Sequence, residues 1–266
     1  QRSYFVATGS KIDFSYNVQV NLATSRNKVT ALGEGQPIAS AFVQPSWQQP
    51  ISRTDVGHPI ASFYGYQTDG LDDTGNLKFK DLNGDGTIDD QDQTFIGNPY
   101  PDLIYGITAG VNYKGFDFSF FMLGNQGQDI YKAYIRPDAV NVNKPASFVD
   151  SWTSSNQNTS VARSNLFGNN NGHDQISDYY IEDGSFLKLK TITIGYTLPK
   201  RISNYLKASK IRFYVTAQNL FMITNYSGID PEIGQSSAGA FLDVGIDRGF
   251  YPQPRTILGG FQISLF

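Results

Sequence analysis

From Phe14 to Leu22 the chain alternates. Phe14, Tyr16, Val18, Val20 and Leu22 are apolar, while Ser15, Asn17, Gln19 and Asn21 are polar. A period of two marks a β-strand with one oily and one wet face. The pattern returns at Tyr105–Tyr113, where Tyr105, Ile107, Ala109, Val111 and Tyr113 alternate with Gly106, Thr108, Gly110 and Asn112. Lys114-Gly115 turns the chain, and Phe116, Phe118, Phe120 and Met122 carry the pattern back. It recurs in Ile211, Phe213, Val215 and Ala217, and again in the last stretch, Thr256–Phe266. Between Gly184 and Thr197 the phase slips. Leu187 and Leu189 lie on one parity and Ile192, Ile194 and Tyr196 on the other, which predicts a bulge near Lys190. Residues 1–6 read as the end of a further strand, followed by a tight turn over Thr8–Lys11. Leu198–Ser209 reads as a short connection with one helical turn.

The connections between these strands are unequal. Those at 7–11, 114–115 and 198–209 are short, and those at 25–101, 125–183 and 221–255 are long and rich in Gly, Pro, Asn and Asp. Short turns at one rim and long loops at the other are the habit of outer-membrane barrels, and a sandwich has no reason for it. Wet faces built of Asn, Gln, Ser and Thr suit a wide lumen better than a dry core. The final strand is expected to close the barrel, since closure removes a hydrophobic edge. The reading is therefore all-β: a transmembrane antiparallel β-barrel portion with long extracellular loops, its oily faces against lipid.

Composition agrees. Of 266 residues only 39% are hydrophobic, yet 16 are Tyr and 19 are Phe. Tyr113, Phe116, Tyr196 and Phe266 fall at the short-turn rim, where an aromatic girdle belongs. No apolar run reaches the roughly 18 residues of a membrane-crossing helix. The absence of Cys excludes disulfides and thiolate chemistry, and a net charge of −3 argues against a nucleic-acid footprint. Gln1–Val6 reads as strand interior with no signal peptide, so the chain is expected to be part of a longer polypeptide.

The sharpest local motif lies inside the 25–101 loop. Asp81, Asn83, Asp85, Asp89 and Asp92 fall at positions 1, 3, 5, 9 and 12 of a Ca²⁺-binding loop, with the Thr87 carbonyl at position 7 and Gly86 at the sharp turn. Asp92 stands where an EF-hand has Glu, and the flanks read as strands rather than helices. Between Asp69 and Asp92 eight Asp face only Lys78 and Lys80, so the acid is concentrated where a structural cation would neutralise it. A set of Asx-turns accounts for the same residues without an ion.

Several segments carry a family resemblance. Gly57–Tyr66, the loop from Lys80 to Asp92, Ile181–Lys190 through Gly195–Pro199, Phe213–Phe221, Tyr226–Gly228 and Asp230–Glu232 resemble, in this order, the C-terminal region of SusC/RagA-type TonB-dependent outer-membrane transporters. The resemblance covers nearly the whole chain. It implies the last third of a barrel of about 22 strands, of which residues 1–266 supply about seven. It further implies a plug domain and a TonB-contacting N-terminal region outside this chain, and a SusD-like lipoprotein lid over the loops. Import of oligosaccharides or peptides is the implied activity, and the bacterial outer membrane the implied location. Phe266 departs from the pattern, sharing the parity of Gln262 and Ser264 rather than that of Ile263 and Leu265.

Enzyme readings find no constellation. His58 and His173 are the only imidazoles and neither has metal or triad spacing. Asp230 and Glu232, one Pro apart, suit a turn better than an acid/base pair. No phosphate-binding glycine loop or Gly-x-Ser-x-Gly elbow occurs. The alternative is a secreted Ca²⁺-dependent glycan-binding β-module, with Trp47, Trp152 and loop tyrosines stacking on sugars.

Overall fold

The computed structural model describes residues 2–11, 13–33, 35–40, 49–135, 143–164, 175–233 and 241–265. The alternating segments form the strands of one antiparallel sheet: β1 (Arg2–Lys11), β2 (Phe14–Thr24), β3 (Leu103–Tyr113), β4 (Phe116–Gln126), β5 (Phe186–Thr197), β6 (Lys210–Gln218) and β7 (Thr256–Ser264). They lie side by side in chain order, each paired with the next. Met222–Thr224 adds a short strand beside the first residues of β5. Helix α1 (Lys200–Tyr205) fills the connection between β5 and β6.

Register makes the sheet two-faced. One row runs Tyr16, Val111, Phe118, Ile194, Val215 across five strands, each residue opposite the next. The row beside it runs Phe14, Tyr113, Phe116, Tyr196, Phe213, Phe261. The alternate rows are polar or small, as in Asn17, Gly110, Ser119, Thr193, Thr216. A slip of one residue in any strand would exchange the two faces. At β5 that exchange is averted by a bulge: Phe121 pairs Thr191 and Met122 pairs Leu189, so Lys190 is the extra residue. The bulge returns Leu187 and Leu189 to the apolar face, as the phase slip predicts.

The first turn is corrected by the structure. Thr8–Lys11 is strand, and the chain reverses between Lys11 and Phe14, which pair. Gly9 is there for close approach rather than for turning. It pairs with Tyr16, and a Cβ on Gly9 would lie 2.3 Å from Tyr16 Cε1. The 114–115 turn is as expected, with φ of 46° at Lys114 and 90° at Gly115, the left-handed pair that a two-residue hairpin demands.

The 25–101 connection has the two strands expected at the flanks of the acidic loop, Leu77–Phe79 and Gln93–Gly97, and more besides. Ile38–Ala39, Ser52–Thr54, Ser62–Tyr66 and Gln93–Gly97 form a small sheet, and Thr68–Leu71 pairs with Leu77–Phe79. These strands of two to five residues are too short to show a period. Phe63 of this small sheet, with Ile51 just before Ser52–Thr54, joins the main buried cluster among the described residues. Ile51, Phe63, Tyr131, Ile176, Tyr180 and Ile246 are all within 2% of complete burial, and they come from all three long connections.

Candidate functional site

The three long connections are sewn into one body at the loop rim. Ser62–Tyr66 receives the 175–177 segment, with Tyr66 N–H donating to the Ile176 carbonyl at 2.8 Å. Asp129–Tyr131 pairs with Ile181–Asp183 on one side. On the other side Tyr131 N–H donates to Gly245 O, and Asp247 N–H donates to Tyr131 O. Ser52 Oγ donates to the Leu242 carbonyl at 2.7 Å, tying the first connection to the third. Tyr226 OH donates to Asp247 Oδ2 at 2.7 Å. Burial, followed by the neighbouring Asp247 carboxylate, pushes the Tyr226 phenol up and keeps it a donor.

One charge cluster joins this body to the wall and a second ties two strands within the wall, and the sequence showed neither. Lys188 Nζ lies 2.8 Å from Asp230 Oδ2 and 2.9 Å from Glu232 Oε2. Lys190 Nζ reaches the same Glu232 at 2.9 Å. Asp230 and Glu232 are thus anchors for a loop; Glu232 N–H also donates to Asp230 Oδ1, the turn bond expected of this pair. Lower on the polar face, Arg212 grips Asp117 through two nitrogens. Asp117 and Arg212 stand on β4 and β6, and Gly195 of β5 leaves the space between them. Only fold register reveals such partners, because they are 42 and 95 residues apart in sequence.

In the acidic loop the carboxylates turn onto the backbone. Asp81 accepts from the N–H groups of Gly84 (2.6 Å) and Gly86 (2.8 Å). Asn83 Oδ1 accepts from Asp85 N–H, Asp85 Oδ1 from Thr87 N–H, and Asp89 Oδ1 from Gln91 N–H. Gly86 takes a φ of 84°, which explains why Gly holds that place. Asp92 is fully buried and accepts from Leu82, Asn83 and Asp89 N–H, closing the loop on itself. The Asp89 N–H contributes most to holding the Asp92 carboxyl below its ordinary range, against desolvation. The six residues Asp81, Asn83, Asp85, Thr87, Asp89 and Asp92 are brought together as one compact loop. Among the described residues no three acidic or imidazole side chains converge as a metal cluster. Among those same residues Asp81, Asp85, Asp89 and Asp90 have no cationic partner.

The remaining candidates pack. His58 stacks on Phe95 with ring centroids 3.7 Å apart. Trp152 lies against Gly75, whose added Cβ would fall 2.5 Å from the indole, so it braces the 68–79 hairpin. Trp47, His173 and Phe266 lie outside the described residues.

No family model matches the chain. Among curated proteins it is 31% identical to TonB-dependent receptor P3 of Formosa agariphila, over 95% of the chain and 27% of that protein. It is also 31% identical to TonB-dependent receptor SusC of Bacteroides thetaiotaomicron, over 95% of the chain and 24% of SusC. The structure of the RagAB peptide transporter aligns with a TM-score of 0.78 at 21% identity, covering 98% of this chain and 28% of that one. The chain thus spans about a quarter of the length of its curated relatives, which are receptors and not enzymes. The apolar rows of β2 to β7 are the lipid face of an outer-membrane barrel. The chain is a SusC/RagA-type segment of a TonB-dependent outer-membrane β-barrel.

Proposed function

We propose that the whole protein imports oligosaccharides or peptides across the outer membrane under the drive of TonB. This segment supplies part of the wall, including its closing strand, and loops that meet substrate and lid. The observation that carries the reading is the single body into which the three long connections fold at one rim of a two-faced sheet. Loops so long and so tightly joined are more than connections. A plug and a TonB-contacting region outside this chain complete the transporter, and a SusD-like lipoprotein caps the loop body. The test is uptake by the whole transporter of labelled oligosaccharides and labelled peptides, with and without TonB. TonB-dependent entry of one class supports import and names the substrate. Release of the protein without detergent favours the secreted glycan-binding module instead.

We propose a second reading for the acidic loop, in which Ca²⁺ is held by Asp81, Asn83, Asp85, the Thr87 carbonyl, Asp89 and Asp92. Its support is an all-oxygen donor set at EF-type spacing and carboxylates without a cationic partner among the described residues. Backbone N–H groups occupy one lone pair on each accepting oxygen of Asp81, Asn83, Asp85 and Asp89, leaving a second, whereas Asp92 Oδ1 already takes two N–H groups and its Oδ2 one. The ion would neutralise and fix the loop. Titration of the whole transporter with Ca²⁺ tests it, with Asp85→Ala as the control.

A further inference from the structure

The short-turn rim is basic. Lys11, Lys114, Lys200, Arg201, Lys207 and Lys210 all lie at or beside the three short connections, against Asp13 alone. Lys11, Lys114, Lys200, Arg201 and Lys207 make no ion pair among the described residues, whereas Lys210 lies within electrostatic reach of Asp117. Among the described residues the further acid nearby, Asp117, pairs with Arg212 and also feels Lys210. The rim also carries uncovered apolar groups. In and just after α1, Ile202, Tyr205 and Leu206 are 45, 87 and 54% exposed, and only Ser203 and Ala208 turn inward. A soluble connection of this length would not show an Ile, a Tyr and a Leu to water beside four cations.

A hollow of about 360 Å³ lies directly against this rim. Its walls include Phe116, Ile194, Tyr196, Phe213 and Val215, the lipid-face rows of β4, β5 and β6. Lys114 precedes Phe116 by two residues, and Lys200 follows Tyr196 by four. Among the described residues no cation lines the slot itself: the cations of the 198–209 connection follow its Tyr196 wall in the chain, while Lys114 also lines a neighbouring hollow on the polar face with Asp13 and Asp117.

We propose that this rim is a docking site for an anionic glycerophospholipid of the periplasmic leaflet. The headgroup phosphate meets Lys114, Lys200, Arg201 and Lys207, and an acyl chain lies in the slot under Tyr196 and Phe213. Two arguments fix the occupant. The slot is continuous with the lipid face, so its filler comes from the bilayer. The charge is predominantly positive, six cations against Asp13 and an Asp117 already paired with Arg212, so the headgroup is anionic. Long Lys and Arg side chains reach the headgroup level while their stems stay on the apolar surface.

The experiment uses the full transporter in mild detergent, exposed to phosphatidylglycerol or to phosphatidylethanolamine of the same acyl chains, with retained lipid read by native mass spectrometry. The unmodified protein retains phosphatidylglycerol preferentially. Replacing Lys114, Lys200, Arg201 and Lys207 by Gln lowers its retention by about fivefold for each charge removed. Should that fourfold variant assemble poorly, the pair Lys200→Gln and Arg201→Gln reads the same effect at half the charge. Ile194→Trp, which fills the slot, lowers retention with all four cations in place. Equal retention of the two lipids by the unmodified protein overturns the proposal, as does unchanged phosphatidylglycerol retention in the Gln variants.

Discussion

Lys188 and Asp230 form an ion pair of 2.8 Å in which the lysine side chain is only 4% exposed. One partner is on the barrel wall and the other is in the third long connection, so the pair holds loop to wall. Removing one member of a buried pair leaves the other desolvated and uncompensated. Lys188→Met is expected to destabilise the loop by about 3 kcal/mol, moderated because Lys190 still holds Glu232. Proteolysis near residues 225–233 in the whole transporter should become several-fold faster. An unchanged cleavage rate would show that the pair anchors nothing.

Val215 and Thr216 separate the two faces within one strand. Val215 is 53% exposed on the lipid face, whereas Thr216 shares a 2.9 Å hydroxyl hydrogen bond with Thr193 on the polar face. Val215→Arg places a charge in hydrocarbon and is expected to cost roughly 2–4 kcal/mol. Thr216→Arg loses that hydrogen bond and enters water, at about 1 kcal/mol. Refolding titrations into lipid vesicles compare the two, and equal costs would count against the face assignment.

Gly195 makes room for the Asp117–Arg212 pair. A Cβ there would stand 2.5 Å from Asp117 Oδ1 and 2.6 Å from an Arg212 terminal nitrogen. Gly195→Ala should cost about 1–3 kcal/mol by overpacking. In an Asp117→Ala background the same change should cost much less, because the obstructing carboxylate is gone. Additive thermal shifts in the double variant would rule out this steric account.

Asp72 supplies the pH-sensitive turn. Desolvation opposes its charge, but hydrogen bonds from Asn76 and Thr74 outweigh it and lower the carboxyl to about 2. A folded pKa below the unfolded value means that this stabilisation is present above about pH 4. It is lost as pH falls from there through about 2. Hydrogen exchange at Thr74 and Asn76, whose N–H groups donate to Asp72, should rise over that window once corrected for intrinsic rates. Asp72→Asn should show raised exchange with no such pH step.

The acidic loop separates the roles of two carboxylates. Asp92 is buried and closes the loop by three N–H bonds. Asp85 is exposed and bonds only within its own turn. Asp92→Asn should therefore open the loop to protease with or without Ca²⁺. Asp85→Ala should abolish only protection that depends on added Ca²⁺. If Ca²⁺ protects neither the unmodified loop nor either variant, the Asx-turns alone explain the motif.

The sequence by itself determined the two-faced strands, their order and the phase slip at Lys190, because a period of two is written in consecutive residues. It also marked the Asp81–Asp92 loop, whose ligand-type spacing is local. Of the strands in the 25–101 connection it marked only the two that flank the acidic loop, Leu77–Phe79 and Gln93–Gly97; the others escaped it, being too short to show a period. So did the core of Ile51, Phe63, Tyr131, Ile176 and Ile246, which is drawn from residues far apart in the chain. Gly9 read as a turn because its real reason, the ring of Tyr16 across the ladder, is a property of pairing. The partners of Lys188 and Arg212, like the hollow beside the basic rim, were decided by tertiary structure alone. Opposite charges attract through space, and which of them come within reach is decided by the register of the sheet for Arg212 and by the path of the third long connection for Lys188.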